Sequence, residues 1–175
     1  MTEAAREAIE RLSRVVNDFP TPGIVFRDLS PVFADGAALR SVIDALVAPF
    51  LGEFDAIAGM EARGFVLAAG AAYATGVGCV MIRKPGKLPR TVLSQDYNLE
   101  YGSASLELHP DELSVGTRVL LLDDVLATGG TLAASCTLAE RAGWTVAGIS
   151  VVLELADLSG SAKLVDRRIS SLLTI

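Results

Sequence analysis

The sequence predicts an α/β fold with a mainly parallel central sheet flanked by helices. Short apolar runs rich in β-branched residues alternate with segments of helical periodicity, the order typical of right-handed βαβ units. One run, residues 119–122, is Val-Leu-Leu-Leu, which indicates a strand buried on both faces. The length of 175 residues, 51% of them hydrophobic, suits a single domain over 1–175 with one core.

The elements follow in order from the apolar pattern and its breaks. We expect helices from Thr2 through Val16, from Asp35 to Phe50, from Gly64 and over 131–142, and strands over 55–58, 77–83, 117–122 and 145–154. Two prolines and a glycine in 18–28 argue against regular structure there, although the segment is apolar; it is either a plug on the core or the wall of a ligand pocket. The polar residues 84–102 predict a mobile lid or a hairpin.

The uncharged segment Phe65 to Ile82 is 18 residues long, which is enough for a short membrane span. Gly76 and Gly78 interrupt it, so we favour a buried helix followed by a buried strand. The two cysteines lie in apolar stretches and the N-terminus has an acidic helical pattern instead of a signal peptide, which favours a reducing cytoplasm. The net charge of −6 argues against nucleic-acid and membrane partners.

A phosphate cradle is predicted after the central strand. Asp123 and Asp124 end that strand, and the small residues Thr-Gly-Gly-Thr at 128–131 begin a helix whose N-terminal N–H groups suit an anion. Carboxylates repel phosphate, so the acids face hydroxyl groups or a metal, and a sugar phosphate offers both. The motifs GxxxxGK[ST] and GxGxxG are absent. The alternative is an ordinary strand-turn-helix in which the acids only cap.

The other predicted strand ends also carry charge. Arg63 follows the first strand of the βαβ series, and Arg83, Lys84 and Lys87 follow the second. Because ligands bind at the carboxyl ends of parallel strands, we expect these cations to form the local basic cluster that an anionic ligand requires in an acidic chain.

Six ordered stretches resemble the adenine phosphoribosyltransferases, a branch of the type I phosphoribosyltransferase family, over nearly the whole chain. They are DFPTPGIVFRDLSPVF at 18–33, GMEARGF at 59–65, IRKPGKLP at 82–89, YNLEYG at 97–102, VLLLDDVLATGGT at 119–131 and LEL at 153–155. The resemblance implies the type I fold, with a small base-binding hood within 1–34 and a mobile lid at 84–102. It also implies a homodimer that converts adenine and phosphoribosyl pyrophosphate (PRPP) to AMP and pyrophosphate in purine salvage.

The resemblance assigns roles to these residues. The acids hold the ribose hydroxyls, the loop from Ala127 holds the 5′-phosphate, and Mg²⁺ is held mainly through PRPP, without direct protein ligands. The implied PRPP-binding residues are Asp123, Asp124, Ala127, Thr128, Gly129, Gly130, Thr131, Lys84, Lys87 and Tyr101. The implied catalytic residues are Glu100, as acid/base at purine N7, with Arg83 and Arg63 at the pyrophosphate.

Adenine is assigned to the apolar loop by the same resemblance. The backbone of Val25 reads the amino edge and Phe26 stacks on the ring, with Arg27 beside them and Leu126 and Leu155 completing the pocket. A C=O beside an N–H distinguishes a 6-amino from a 6-oxo purine. The 6-oxopurine enzymes carry an Asp where this loop has Ala127, so the N7 proton falls to Glu100.

Two other functions stay open. One is a PRPP-sensing regulator that has lost turnover, against which stand the retained Glu100, the lid and the basic cluster. The other is a transferase for another base, which Ala127 and the loop at 25–26 disfavour. Two departures from the family pattern bear on the lid and on subunit contacts: Gln95, Asp96 and Asn98 differ from the commoner lid sequence, and residues 160–163 lack an Arg-Glu pair.

Overall fold

The computed structural model describes residues 2–19, 21–98 and 103–175. Two compact units divide the chain, Met1–Ala45 and Leu46–Ile175. The helices are α1 (Thr2–Leu12), α2 (Ser30–Ala34), α3 (Gly36–Val47), α4 (Arg63–Thr75) and α5 (Gly130–Arg141). The strands are β1 (Arg14–Asn17), β2 (Val25–Asp28), β3 (Ala56–Met60), β4 (Gly78–Ile82), β5 (Leu93–Asn98), β6 (Ser103–Leu108), β7 (Arg118–Leu126), β8 (Thr145–Glu154) and β9 (Ile169–Thr174).

The first unit corrects two sequence predictions. Helix α1 ends at Leu12, so Val15 and Val16 do not continue its apolar face; they lie in β1, which pairs antiparallel with β2. The segment 18–28 is therefore not irregular throughout, because its last four residues form β2. Pro22 and Gly23, which has φ +89°, precede β2 and lie in the turn. β-branched residues with a partner strand favour extended pairing over a further helical turn.

The second unit contains the predicted parallel sheet. Among the described residues, five parallel strands lie in the order β4-β3-β7-β8-β9, with β7 in the centre. Residues 119–124 of β7 are all buried, as the apolar run predicts. Strand β7 continues to Leu126, so Asp123 and Asp124 lie within the strand and not after it. The strand β9 lies beyond the elements that the sequence predicted.

The segment 65–82 is a helix, a turn and a strand. Gly76, with φ +73°, ends α4 in the left-handed conformation that glycine adopts without strain. Strand β4 is an edge strand that buries Val80 and Ile82 and exposes Cys79 and Met81, so only one of its faces is buried. Within the described ranges, the helices are all too short or too polar to span a membrane.

Residues 93–98 of the predicted lid form the first strand of a hairpin. Strands β5 and β6 pair antiparallel from Leu93 with Leu108 to Asn98 with Ser103. Leu106 and Leu108 are buried in the core of the second unit, and Arg141 of α5 donates a hydrogen bond to the carbonyl oxygen of Ser94 at 2.7 Å. These contacts hold the hairpin on α5, while residues 99–102 lie outside the described part of the chain.

Candidate active site

The acidic pair of β7 lies against the start of α4. Asp123 and Asp124 are 9% and 7% exposed, and Asp123 Oδ1 accepts a hydrogen bond from the backbone N–H of Asp124 at 2.9 Å. Gly64, in the first turn of α4, allows this approach: a Cβ there would lie 2.8 Å from the carbonyl oxygen of Leu122 and 3.0 Å from Asp123 Oδ1. The absence of a side chain therefore brings the helix N-terminus onto the carboxylates.

An ion pair joins α4 to β7. Arg63 is the first residue of α4, and its Nη2 lies 2.7 Å from Asp124 Oδ2. That oxygen is buried and accepts no hydrogen bond of good geometry from the described residues, so the contact is electrostatic in character. Asp124 Oδ2 therefore keeps unused hydrogen-bonding capacity beside the guanidinium.

Burial and the neighbouring acid change the acidity of Asp123. Burial raises the pKa of Asp123 well above its ordinary value, and the negative charge of Asp124 raises it further. The Arg63 guanidinium acts in the opposite direction on the same pKa. A carboxyl group that holds its proton can donate a hydrogen bond to a hydroxyl group as well as accept one.

The predicted phosphate cradle is formed by the loop between β7 and α5. Gly129, with φ +76°, precedes α5, and no side chain caps the helix. The N–H groups of the first turn therefore have no intrahelical partner and point towards the loop. Residues 125–132 enclose a cavity of about 60 Å³. Amides and a helix dipole around a small cavity suit a phosphate.

The basic cluster is organised by Glu61, a residue to which the sequence analysis gave no role. Glu61 Oε2 accepts hydrogen bonds from Arg83 Nε at 3.2 Å and from the backbone N–H of Lys84 at 3.0 Å. The Lys84 N–H and then the Arg83 guanidinium lower the pKa of Glu61 against the effect of burial. Arg83 Nη1 also donates to the carbonyl oxygen of Lys87 at 3.1 Å. Arg83 thus holds the loop together, while Lys84 and Lys87 are exposed.

The hairpin also reaches the cradle. Thr131 Oγ1 lies 3.4 Å from the hydroxyl oxygen of Tyr97, whose ring packs on the core of the second unit. The position of the ring against the core indicates a packing role for Tyr97. The additional hydroxyl contact depends on strand pairing and gave no sequence signal.

The residues assigned to adenine divide between the two units. Leu126 is fully buried, and its carbonyl oxygen accepts a hydrogen bond from the N–H of Leu155 at 2.9 Å, so these two residues are neighbours. Val25, Phe26 and Arg27 lie on β2 of the first unit. Val25 is 65% exposed, which leaves it accessible to a ligand.

Phe26 and Arg27 both make contacts within the first unit. Phe26 contacts Phe19 edge-to-face with 5.1 Å between ring centroids, and Arg27 donates a hydrogen bond to Ser13 Oγ at 3.2 Å. Glu100 and Tyr101 lie outside the described residues, so their roles stay predictions.

Comparison with known proteins first gives the class. A model of the phosphoribosyl transferase domain matches residues 33–171, which include most of the parallel sheet, the acidic pair and the cradle. The adenine phosphoribosyltransferase of Renibacterium salmoninarum is 62% identical over 173 residues, covering 99% of this chain and 95% of the relative. The chain therefore belongs to the adenine phosphoribosyltransferase branch of the type I phosphoribosyltransferase family, and the family resemblance stated from the motifs is confirmed.

Solved structures agree with this assignment. The adenine phosphoribosyltransferase of Thermoanaerobacter pseudethanolicus has a TM-score of 0.94 at 46% identity and covers 97% of this chain and 99% of its own. The enzyme of Saccharomyces cerevisiae, complexed with adenine and an imino-altritol bisphosphate, has a TM-score of 0.92 at 34% identity, covering 99% and 100%. The predicted fold class is thus confirmed.

Proposed function

We propose that this chain transfers the 5-phosphoribosyl group of PRPP to adenine, giving AMP and pyrophosphate in purine salvage. The observation that carries the proposal is the buried acidic pair beside the cradle, in a chain 62% identical to an adenine phosphoribosyltransferase. The acids suit the ribose hydroxyls and the cradle suits the 5′-phosphate, so together they recognise the two ends of one sugar phosphate.

The chemistry requires stabilisation of separating charges. Cleavage at the anomeric carbon develops positive charge on the ribose and negative charge on the departing pyrophosphate. Arg63, beside the acids, and the exposed Lys84 and Lys87 on the loop held by Arg83 supply fixed positive charge on the pyrophosphate side. Cations held in place before the reaction lower the barrier without reorganising during it.

Mg²⁺ is proposed as the metal, carried mainly by the pyrophosphate of PRPP. Among the described residues no group of three or more His, Cys, Asp or Glu side chains could hold a metal ion by itself. The buried Asp124 Oδ2 is already paired with Arg63 at 2.7 Å, so the hard oxygen ligands that Mg²⁺ prefers would come from the substrate. Bound there, Mg²⁺ would neutralise charge on the leaving group.

Selectivity for adenine is assigned to the backbone of Val25, and the neighbouring residues Leu126 and Leu155 are assigned to apolar contacts with the base. The solved yeast relative is described as a complex with adenine, which supports a 6-amino purine as the base. Ala127 cannot handle the N7 proton, and we assign that task to Glu100. In a 6-oxo purine the hydrogen-bond donor and acceptor are exchanged relative to adenine. Against a backbone C=O beside an N–H, acceptor would therefore face acceptor and donor would face donor, which disfavours the 6-oxo purine.

A base panel tests the function. Purified protein is incubated with Mg²⁺, PRPP and one of adenine, hypoxanthine, guanine, xanthine or orotate, and nucleotide and pyrophosphate are measured. AMP from adenine alone supports the proposal. Product from a 6-oxo purine would contradict the pocket assignment, and measurable PRPP binding without any product would favour the regulator.

A homodimer is proposed as the working unit. Three exposed large apolar side chains lie on the adjoining elements α4 and β4: Val66 is 47% exposed, Tyr73 93% and Met81 45%. Such a group of side chains is typical of a surface covered by a partner. Light scattering should give the dimer mass for the wild type and for Val165→Glu, and a lower mass for Tyr73→Glu. A monomeric wild type would reject the proposal.

The reaction is placed in the cytoplasm. Cys79 and Cys136 are both free thiols, as a reducing compartment requires. The net charge of −6 gives little attraction to nucleic acids or anionic membranes, so small molecules and a second copy of the chain are the proposed partners. Fractionation with a cytoplasmic marker enzyme tests this location.

A further inference from the structure

The rear of the phosphate cradle is closed by Gly160, which the sequence analysis did not assign. Gly160 is buried at the start of a 3₁₀ turn, Gly160–Leu164. A Cβ on Gly160 would overlap the carbonyl oxygen of Ala127 and would lie 2.8 Å from the backbone nitrogen of Gly129 and 2.9 Å from Leu126 Cδ1. The side chain of Leu126 and the backbone of Ala127 and Gly129 therefore all pack on this one glycine.

The contact is reciprocal. A Cβ on Gly129 would overlap the carbonyl oxygen of Gly160 and would lie 3.0 Å from its carbonyl carbon and 3.2 Å from its Cα. Gly129 also has a φ of +76°, a conformation that favours glycine independently of the close contact. Gly160 has no such requirement, since its φ is not in the left-handed region. The close approach of two backbones is thus the reason for glycine at 160.

The segment that carries Gly160 is fixed at both ends. At its start, the N–H of Leu155 donates a hydrogen bond to the carbonyl oxygen of Leu126 at 2.9 Å. At its end, the side chain of Leu164 is buried in the core of the second unit. The segment is therefore a fixed support and not a loose strap, so its backbone can define where the small residues of the cradle lie.

We propose that Gly160 is a positioning residue for the phosphate loop: its backbone supports the backbone of 127–129 in the conformation that aims the loop's N–H groups at the 5′-phosphate. The inference rests on the proposed function. A loop of alanine, threonine and two glycines has few side chains to hold its own shape, and preorganised amides bind an anion better than mobile ones because less ordering occurs on binding. The backbone contact with Gly160 supplies this order.

Replacement of Gly160 by alanine tests the proposal with two fragment probes. Ribose 5-phosphate carries the 5′-phosphate, whereas pyrophosphate does not. In Gly160→Ala, the inhibition constant of ribose 5-phosphate and the KM for PRPP should each rise about tenfold or more, because the loop binds ground state and transition state alike. The inhibition constant of pyrophosphate, the KM for adenine and kcat should stay within about threefold of wild type.

Gly36→Ala is the matched control. Gly36 begins α3, has ordinary φ, and a Cβ there would meet no atom within 4 Å. This variant should keep all wild-type constants. Equal loss of ribose 5-phosphate and pyrophosphate affinity in Gly160→Ala, or loss of neither, would overturn the inference. A wild type that makes no AMP would instead reject the proposed function, so the two failures are distinguishable.

Hydrogen exchange on the wild type keeps the proposal testable if Gly160→Ala does not fold. Saturating ribose 5-phosphate should slow amide exchange in 160–164 as well as in 127–133, whereas pyrophosphate should leave 160–164 unchanged. Protection of 127–133 alone would overturn the inference, because a support that the ligand engages through the loop must be stabilised together with it.

Discussion

The guanidinium of Arg63 lies 2.7 Å from the carboxylate of Asp124, so two residues assigned to different parts of PRPP contact each other directly. Arg63 is assigned to the pyrophosphate and Asp124 to the ribose. A buried carboxylate is strongly destabilising unless a cation or hydrogen bonds compensate its charge. The ion pair therefore compensates the buried charge and couples the two ligand-binding loops, and it sets the expected effect of changing either residue.

Asp124→Asn should weaken PRPP binding. The change retains the size of the side chain but removes the charge that strengthens hydrogen bonds from ribose hydroxyls. Hydrogen bonds to charged groups contribute about 1.5–3 kcal/mol, so the Kd for PRPP should rise about 10- to 100-fold. Titration calorimetry with PRPP and Mg²⁺, without adenine, measures this directly.

The control for that change is Asp44→Asn. Asp44 lies on α3, and its side chain makes a long ion pair with Arg40, 4.0 Å between Nε and Oδ2. Its replacement should leave the Kd for PRPP unchanged. If Asp124→Asn also binds PRPP with wild-type affinity, the acidic pair is structural and the proposed site is wrong.

Asp123→Asn should stabilise the protein at neutral pH. Burial raises the folded-state pKa of Asp123, so the folded chain favours the protonated acid. The stabilising contribution of that protonated group is complete below the unfolded pKa and is lost as pH rises through the raised folded pKa. Asparagine does not ionise, so the variant should gain about 1 kcal/mol, or about 2–4 °C in Tm, at pH 7 and little at pH 4.

Asp55→Asn provides a comparison of opposite sign. The side-chain hydrogen bond from Arg118 lowers the pKa of Asp55 to about 2, so its stabilising effect is present above the unfolded pKa and is lost as pH falls. This variant should have a lower Tm than wild type at pH 7, and the difference should shrink at acidic pH. Equal Tm values for Asp123→Asn and wild type at pH 7 would contradict the assigned burial effect.

The sequence predicted the elements whose signals are local. The apolar run of β7 and the small residues after it define the central strand and the cradle, and alternation of strands with helices gives the parallel sheet. Hairpin β1–β2 was not predicted, since Val15 and Val16 fit a helical period and the pairing partner lies across a turn. The length of β7 was also underestimated, because Asp123 and Asp124 are atypical of a strand interior.

The contacts that shape the candidate site are mostly long-range, and the sequence did not give them. Glu61 accepts hydrogen bonds from residues 22 and 23 positions away, and Gly160 packs on a loop about 30 residues earlier in the chain. A glutamate beside a turn and a glycine in a polar segment have many ordinary explanations. The roles of these two residues become visible only when separate parts of the chain pack together in the structure.

Glu61 should act as a positioning residue for the basic loop. Glu61→Ala removes both hydrogen bonds, and kcat/KM for PRPP should fall about tenfold because Lys84 and Arg83 lose their support. Glu61→Gln retains an acceptor for the Lys84 N–H, so it should stay within about threefold of wild type. Steady-state kinetics, with pyrophosphate inhibition as a second readout, separates the two variants. Wild-type kinetics for both would remove Glu61 from this role.

Glu100→Ala tests the assigned acid/base residue. If Glu100 transfers a proton at purine N7, its loss should lower kcat about 10²- to 10⁴-fold, since general acid–base catalysis contributes on that scale. PRPP binding should survive, because the acids and the cradle that hold it are unchanged. Single-turnover kinetics and calorimetry measure the two quantities, with the exposed Glu10→Ala on α1 as the control. Near-normal turnover in Glu100→Ala would show that another group handles the proton, and parallel loss of PRPP affinity would show that Glu100 supports binding instead of chemistry.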